Sequence, residues 1–182
     1  IIPTLIHEIF RNTAEHGYIN LKTEKGSSKN IRTIRISITG IDLRNKASIV
    51  TNNNNTLEKY FNRIINSKNS RTLLYWLDFS ILDTGLGFVK NIKINNQFQN
   101  MNNKDIVLKC FEQSFTQKGK SAKNSGQGLA ITLKNIKSAD GILRLRTSTC
   151  EVIYTKDLNE PEIIENLNDT QGTLVNLLIP LL

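Results

Sequence analysis

The chain has 182 residues, of which 38% are hydrophobic and 22% charged, with 10 Gly, 3 Pro and a formal net charge of +8. That length suits a single domain with a real core, and the composition excludes collagen-like, disulfide-scaffold and coiled-coil classes. No apolar run approaches the ~18 residues of a membrane-spanning helix, and the start, Ile1-Ile2-Pro3, lacks the pattern of a signal peptide.

The charge is uneven. Residues 1–150 hold 23 of the 24 Lys and Arg but only 10 of the 16 acids, so a basic body precedes an acidic segment. Basic chains invite a nucleic-acid reading. Cys110 and Cys150 make no metal-ligand spacing and fit a reducing compartment, so a cytoplasmic setting is expected. The absence of an initiator Met reads as processing, or as one piece of a larger protein.

Helical periodicity begins at Thr4 and runs to Tyr18, with Leu5, Ile9, Thr13 and His16 at steps of three to four, Thr4 as cap and Gly17 as stop. Ile31–Ile41 alternates as a strand through Ile34, Ile36 and Ile38. The segment 42–72 is Asn-rich, holds one helix over Leu57–Ile65, and is read as a surface insertion. Leu73–Leu82, nearly all apolar, is a buried strand that runs straight into Asp83-Thr84-Gly85-Leu86-Gly87. Residues 90–104 are polar and read as a loop, followed by a short helix over Asp105–Gln113. A Lys/Ser/Gly loop leads to a helix over Leu129–Lys137. Ile142–Thr149 and Glu151–Thr155 are strands, 156–170 is an acidic connection, and Gly172–Leu181 is a closing strand. This order predicts an α+β fold: a two-layer α/β sandwich, its mixed, mostly antiparallel sheet covered by helices on one face.

Three groups of residues could carry chemistry. Glu8, Asn12 and His16 are four apart and share a helix face, where a carboxylate beside an amide can position water and ligate Mg²⁺. Asp83 ends an aromatic-rich strand, where a carboxylate is costly unless something donates to it, and Gly85 and Gly87 permit a sharp turn and close approach of a ligand. Gly126-Gln127-Gly128-Leu129 opens a helix, whose free N–H groups form an anion site. Lys118, Lys120 and Lys123 lie just before it. Gly119-Lys120-Ser121 is not a P-loop, because Ser114 stands where that motif needs its first glycine and no apolar strand leads in.

These elements, in this order, resemble the GHKL superfamily, the Bergerat ATP-binding fold shared by gyrase, the heat-shock chaperone of the ninety-kilodalton class, histidine kinases and MutL. His7-Glu8-Ile9-Phe10-Arg11-Asn12 resembles the N box, and Asp83-Thr84-Gly85-Leu86-Gly87 the first glycine box. Phe111-Glu112-Gln113-Ser114-Phe115-Thr116-Gln117-Lys118 is similar to the segment before the lid of histidine kinases. Gly126-Gln127-Gly128-Leu129-Ala130-Ile131 is similar to the second glycine box, and Gly172-Thr173 with Leu177-Leu178-Ile179-Pro180 to the last box and closing strand. Together the motifs cover nearly the whole of 1–182 as one ATP-binding domain.

The resemblance implies a role for each matching position. Asp83 would accept a hydrogen bond from the adenine amine, with Thr173 supporting it through water, and Gly85 and Gly87 would shape the pocket. Asn12 would bind Mg²⁺. Gly126, Gly128 and the Leu129 amide would hold the phosphates, and residues 114–126 would form a lid with Lys118 or Lys120 reaching them.

Glu8 would be the general base of hydrolysis. Most histidine kinases carry Asn there, whereas anti-sigma serine kinases also carry Glu, and Asn12-x-x-x-His16-Gly17-Tyr18 is similar to their helix end. The expected function is a Mg²⁺-dependent ATPase module whose partners are ATP and either other domains of a larger chain or a second protein. A histidine or anti-sigma serine protein kinase is the alternative, and a basic nucleic-acid-binding module ranks last. Asn12 and Asp83 lie 71 positions apart, more than in compact kinase domains, and no phosphoacceptor hairpin is present.

Overall fold

The computed structural model describes residues 2–17, 31–42, 54–67, 73–94, 98–112 and 128–181, of which 12–17 and 128 are described by backbone alone. The elements in order are α1 (Ile2–Gly17), β1 (Arg32–Asp42), α2 (Asn55–Asn66), β2 (Leu73–Asp83), α3 (Gly87–Lys93) and α4 (Asn103–Phe111). They continue as α5 (Gly128–Ser138), β3 (Ile142–Ser148), β4 (Cys150–Thr155), β5 (Glu162–Ile164) and β6 (Thr170–Leu181).

The fold is α+β. Six strands form one sheet in the order β1-β2-β6-β3-β4-β5. Every pairing is antiparallel, in keeping with the expected mostly antiparallel sheet. Successive side chains of a strand point to opposite faces, so the two faces can be read from parity. On one face Phe79, Ile81, Leu143, Leu145, Val175 and Leu177 are buried together with Leu5 and Ile9 of α1, Val89 and Ile92 of α3, Ile106 of α4 and Ile136 of α5. Each such side chain, fully buried, contributes about 1.5–3 kcal/mol.

The opposite face carries the second core. Leu57, Tyr60, Phe61 and Ile64 of α2 recur at the spacing of one helical stripe and pack on Leu74, Trp76, Ile142 and Ile153. The Phe61 and Trp76 rings meet edge-on at 5.6 Å. Two-layer packing on one face therefore holds for four helices, whereas α2 begins a partial third layer. The helix of the segment 42–72 thus covers part of this face of the sheet. Asn54 caps it, its side chain accepting from the Leu57 N–H at 2.9 Å.

Two further expectations change. Residues 87–93, within what reads as glycine box and polar loop, form α3, because Phe88, Val89 and Ile92 find the core. The helix α1 starts at Ile2, so Thr4 lies inside it rather than capping it, and Pro3 is tolerated in the first turn.

The acidic connection, which contains β5, folds back on the basic body. Asp157 meets Arg63 at 2.9 Å, Asp169 meets Lys90 at 2.7 Å, and Glu165 meets Lys104 at 3.5 Å. Glu162 accepts from the Asn54 amide at 3.3 Å. Among the described residues, no helix is long and apolar enough to cross a membrane.

Candidate functional site

Three rows of residues run across β2, β6 and β3 on the helix-covered face. Phe79, Leu177 and Leu143 lie in one row, and Ile81, Val175 and Leu145 in the next. Two residues further along, the chemistry switches. Asp83 faces Thr173, and Thr173 faces Thr147. All three are buried, at 3%, 3% and 0% exposure. The strand pleat that fills the core with aliphatic side chains thus ends in a carboxylate and two hydroxyls. Buried polar groups of this kind require partners.

Asp83 takes one partner from its own turn: the Gly85 N–H donates to Oδ1 at 2.5 Å, the local bond that Asp favours at turns. Among the described residues, the Gly85 N–H is the donor seen at this carboxylate. The turn itself is clamped at Thr84. Its N–H donates to the Ile31 carbonyl at 3.0 Å, its hydroxyl accepts from the Ile31 N–H at 2.9 Å, and its carbonyl accepts from the Gln171 amide at 3.0 Å. The start of β1 and the start of β6 therefore hold the Asp83 turn from two sides.

Both flanking glycines have left-handed backbones, with φ of 75° at Gly87 and 79° at Gly172. A Cβ on Gly87 would stand 2.4 Å from the Gly172 carbonyl oxygen and 2.8 Å from Thr147 Oγ1. The expectation that Gly87 clears room for a ligand thus meets a different local fact: the space beside its α-carbon is taken by Gly172 and Thr147. Lys90, one turn further along α3, is fixed to Asp169, which also accepts from Ser148 Oγ at 3.0 Å. These hydrogen bonds, that of Lys90 foremost, hold the Asp169 carboxyl below its ordinary range.

Helix α1 packs against β2, α3 and α5. Glu8 lies between buried Leu5 and Ile9 and is itself buried, its Oε2 accepting from Arg11 Nη2 at 2.7 Å. Phe10, on the outer side, lies under the Arg32 guanidinium at 5.4 Å, and Arg32 is the register partner of Asp83 on β1. The segment that resembles an N box is in this way tied to the Asp83 end of the sheet. Asn12 follows Glu8 by one turn of α1, and its side chain lies outside the described residues.

Helix α5 begins at Gly128, as expected for a glycine-led helix start, and Leu129 packs partly buried against the core. The four leading N–H groups of such a helix have no partner within it. Lys118, Lys120, Lys123 and Gly126, with the whole proposed lid 114–126, lie outside the described residues.

Sequence reasoning named Asp83 and Thr173 and missed Thr147, Thr84, Gln171 and Arg11. Thr147 had a signal: it completes the alternation Leu143, Leu145, Thr147 and so marks where the apolar face ends. Among the described residues, no group of three or more His, Cys, Asp or Glu stands together to hold a metal ion. No family model matches the chain, and no curated protein matches it.

Proposed function

We propose that this chain is an ATP-binding domain of the GHKL type that hydrolyses ATP with Mg²⁺ and serves as a nucleotide-driven switch for other domains or a protein partner. The observation that carries the reading is the buried Asp83 carboxylate, one oxygen held by the Gly85 N–H, with Thr173 directly opposite. The other oxygen would suit a donor on a planar ligand edge, such as an adenine amine, and Thr173 would offer a hydroxyl beside it. The five motifs, in order along the chain, supply the rest of the argument.

Mg²⁺ is commonly held by one or two protein oxygens, with water and substrate phosphates completing its shell, and on the resemblance Asn12 of α1 would supply one. Bound there, Mg²⁺ would neutralise developing phosphate charge. The residues do the remaining work. Glu8 would take a proton from the attacking water on an oxygen while that water's oxygen forms the bond to the γ-phosphorus and the bond to the bridging oxygen of the diphosphate breaks. Arg11 holds the Glu8 carboxylate in one orientation. The α5 N-terminus at Gly128 and Leu129, with Gly126, Lys118 and Lys120 before it, would hold the phosphates.

Phosphoryl transfer to protein is the second reading, favoured by the kinase-like segment 111–118 and second glycine box. A direct nucleic-acid role ranks below both, since among the described residues Arg63, Lys90, Lys104 and Arg144 are ion-paired within the fold. Incubation with γ-labelled ATP separates the first two: free labelled phosphate supports the ATPase, and label on protein supports the kinase. Replacing Glu8 with Ala should lower phosphate release by about 10²–10⁴-fold while nucleotide affinity persists. Unchanged turnover in that variant removes Glu8 from the mechanism.

A further inference from the structure

Strand β1 is the outermost strand of the sheet among the described residues and pairs only with β2. An open edge is a template for another strand, and monomeric proteins blunt it with Lys, Pro or a bulge. β1 carries one exposed charge in mid-strand, Arg35, but all eleven of its residues run opposite β2 without a register shift, and Arg32–Asp42 contains neither Lys nor Pro.

The outward groups can be assigned. Ile31 and Thr84 exchange a bond directed toward β2, so the odd-numbered residues of β1 bond inward and the even-numbered ones present N–H and C=O outward. The even positions also carry Ile34, Ile36 and Ile38, register partners of Ile81, Phe79 and Leu77. These three isoleucines are 45%, 60% and 66% exposed.

The segment 31–41 is a palindrome in its isoleucines. About Ile36, Ile34 mirrors Ile38, Ile31 mirrors Ile41 and Thr33 mirrors Thr39. A two-fold interface requires such self-complementarity, because each patch meets its own copy. Placed antiparallel with Ile36 on Ile36, the outward hydrogen-bonding groups of the even residues face one another. Arg35 then faces Ser37 and Arg32 faces Gly40. No like charges stand directly opposite, and the two copies of Arg35 come diagonal to one another beside the axis.

We propose that β1 pairs with β1 of a second copy of this chain about a two-fold axis at Ile36, joining two six-stranded sheets into one continuous sheet. The pairing is independent of the nucleotide reading and needs neither ATP nor Mg²⁺. Sedimentation equilibrium of the whole chain should show a dimer, and Ile36→Lys should raise its dissociation constant at least ~100-fold by placing like charges on the axis. Since Ile36 is exposed, the circular dichroism of that variant should match the wild type. Ile36→Cys should oxidise to a symmetric disulfide dimer, because directly opposed hydrogen-bonded residues have α-carbons ~5.5 Å apart, within disulfide range. A chain that stays monomeric at every concentration overturns the proposal, as would be the case if another segment or another protein covers β1. So does a dimer that survives Ile36→Lys, or an Ile36→Cys protein that forms no disulfide between its two copies.

Discussion

A Cβ on Gly172 would fall 1.8 Å from the carbonyl oxygen of Asp83, so the backbone of β6 touches the backbone of the Asp83 turn with no room for any side chain. Gly87 makes the matching approach from the other side, onto the Gly172 carbonyl. The carboxylate at the site is therefore positioned by main chain on main chain.

Ala at position 172 must combine a left-handed φ with that clash. Gly172→Ala should destabilise the fold by on the order of 3 kcal/mol or more, and Gly87→Ala by somewhat less. Urea unfolding measures both. A Gly172→Ala protein as stable as the wild type would mean that the turn is not held by this contact.

The charged junction on the far side of the sheet should make stability depend on acid. Asp140 accepts from Arg63 Nη1 and Nη2 at 2.9 and 2.6 Å and from Lys156 at 3.1 Å, while its carbonyl accepts from Tyr60 Oη at 2.6 Å. Burial alone would raise the Asp140 carboxyl, but the bonds from Arg63 and Lys156 outweigh it and the net shift is downward. A depressed folded pKa stabilises above the unfolded value, near about 4, and the gain is lost as pH falls through the folded value. Asp140→Asn should thus be less stable than the wild type at neutral pH, and the gap should close as pH falls through the depressed folded-state pKa. Asn tolerates the left-handed φ of 51° at this position, so the variant isolates charge. A gap that stays constant with pH would contradict the role given to the ion pairs.

Both cysteines are free thiols, and burial raises both. Cys110 is pushed up to about 12, and its Sγ donates to the Ile106 carbonyl at 3.2 Å. Since the thiolate is the reactive form, labelling by a disulfide reagent at pH ~8 should be slow in the folded protein and fast in denaturant. Rapid modification of either thiol under native conditions would contradict this packing.

Much of the architecture is legible because periodicity is a local property. The alternation in β1 and β3, the continuous apolar run of β2 and the 129–136 stripe of α5 each point to the element that forms. What escaped depends on distant partners. Helix α3 is short and lies between a glycine turn and polar residues, and only the core beneath Phe88 and Ile92 makes it helical. The stripe of α2 is visible in Leu57, Tyr60, Phe61 and Ile64, yet its Asn-rich flanks suggest surface. Nothing local announces that Trp76 waits on the opposite face of the sheet.

The candidate site divides in the same way. Asp83 stands out as an acid ending an apolar strand. Thr173 gains meaning only through strand register, and Thr147 only through the next register beyond it. The charge pattern was legible in part: an acidic segment follows a basic body. That Asp157, Glu165 and Asp169 each find a cation from a different element is a property of the fold.

On the proposed reading, Asp83 accepts a hydrogen bond from the base of an adenine nucleotide. Calorimetric titration of ATP in the presence of Mg²⁺ into the wild-type chain and Asp83→Asn tests it most directly. The amide keeps one acceptor for the Gly85 N–H but cannot also offer an acceptor to the base, so affinity should fall by about 10–100-fold with the fold intact by circular dichroism. Equal affinity in the two proteins, or no heat of ATP binding to the wild type, would contradict the account.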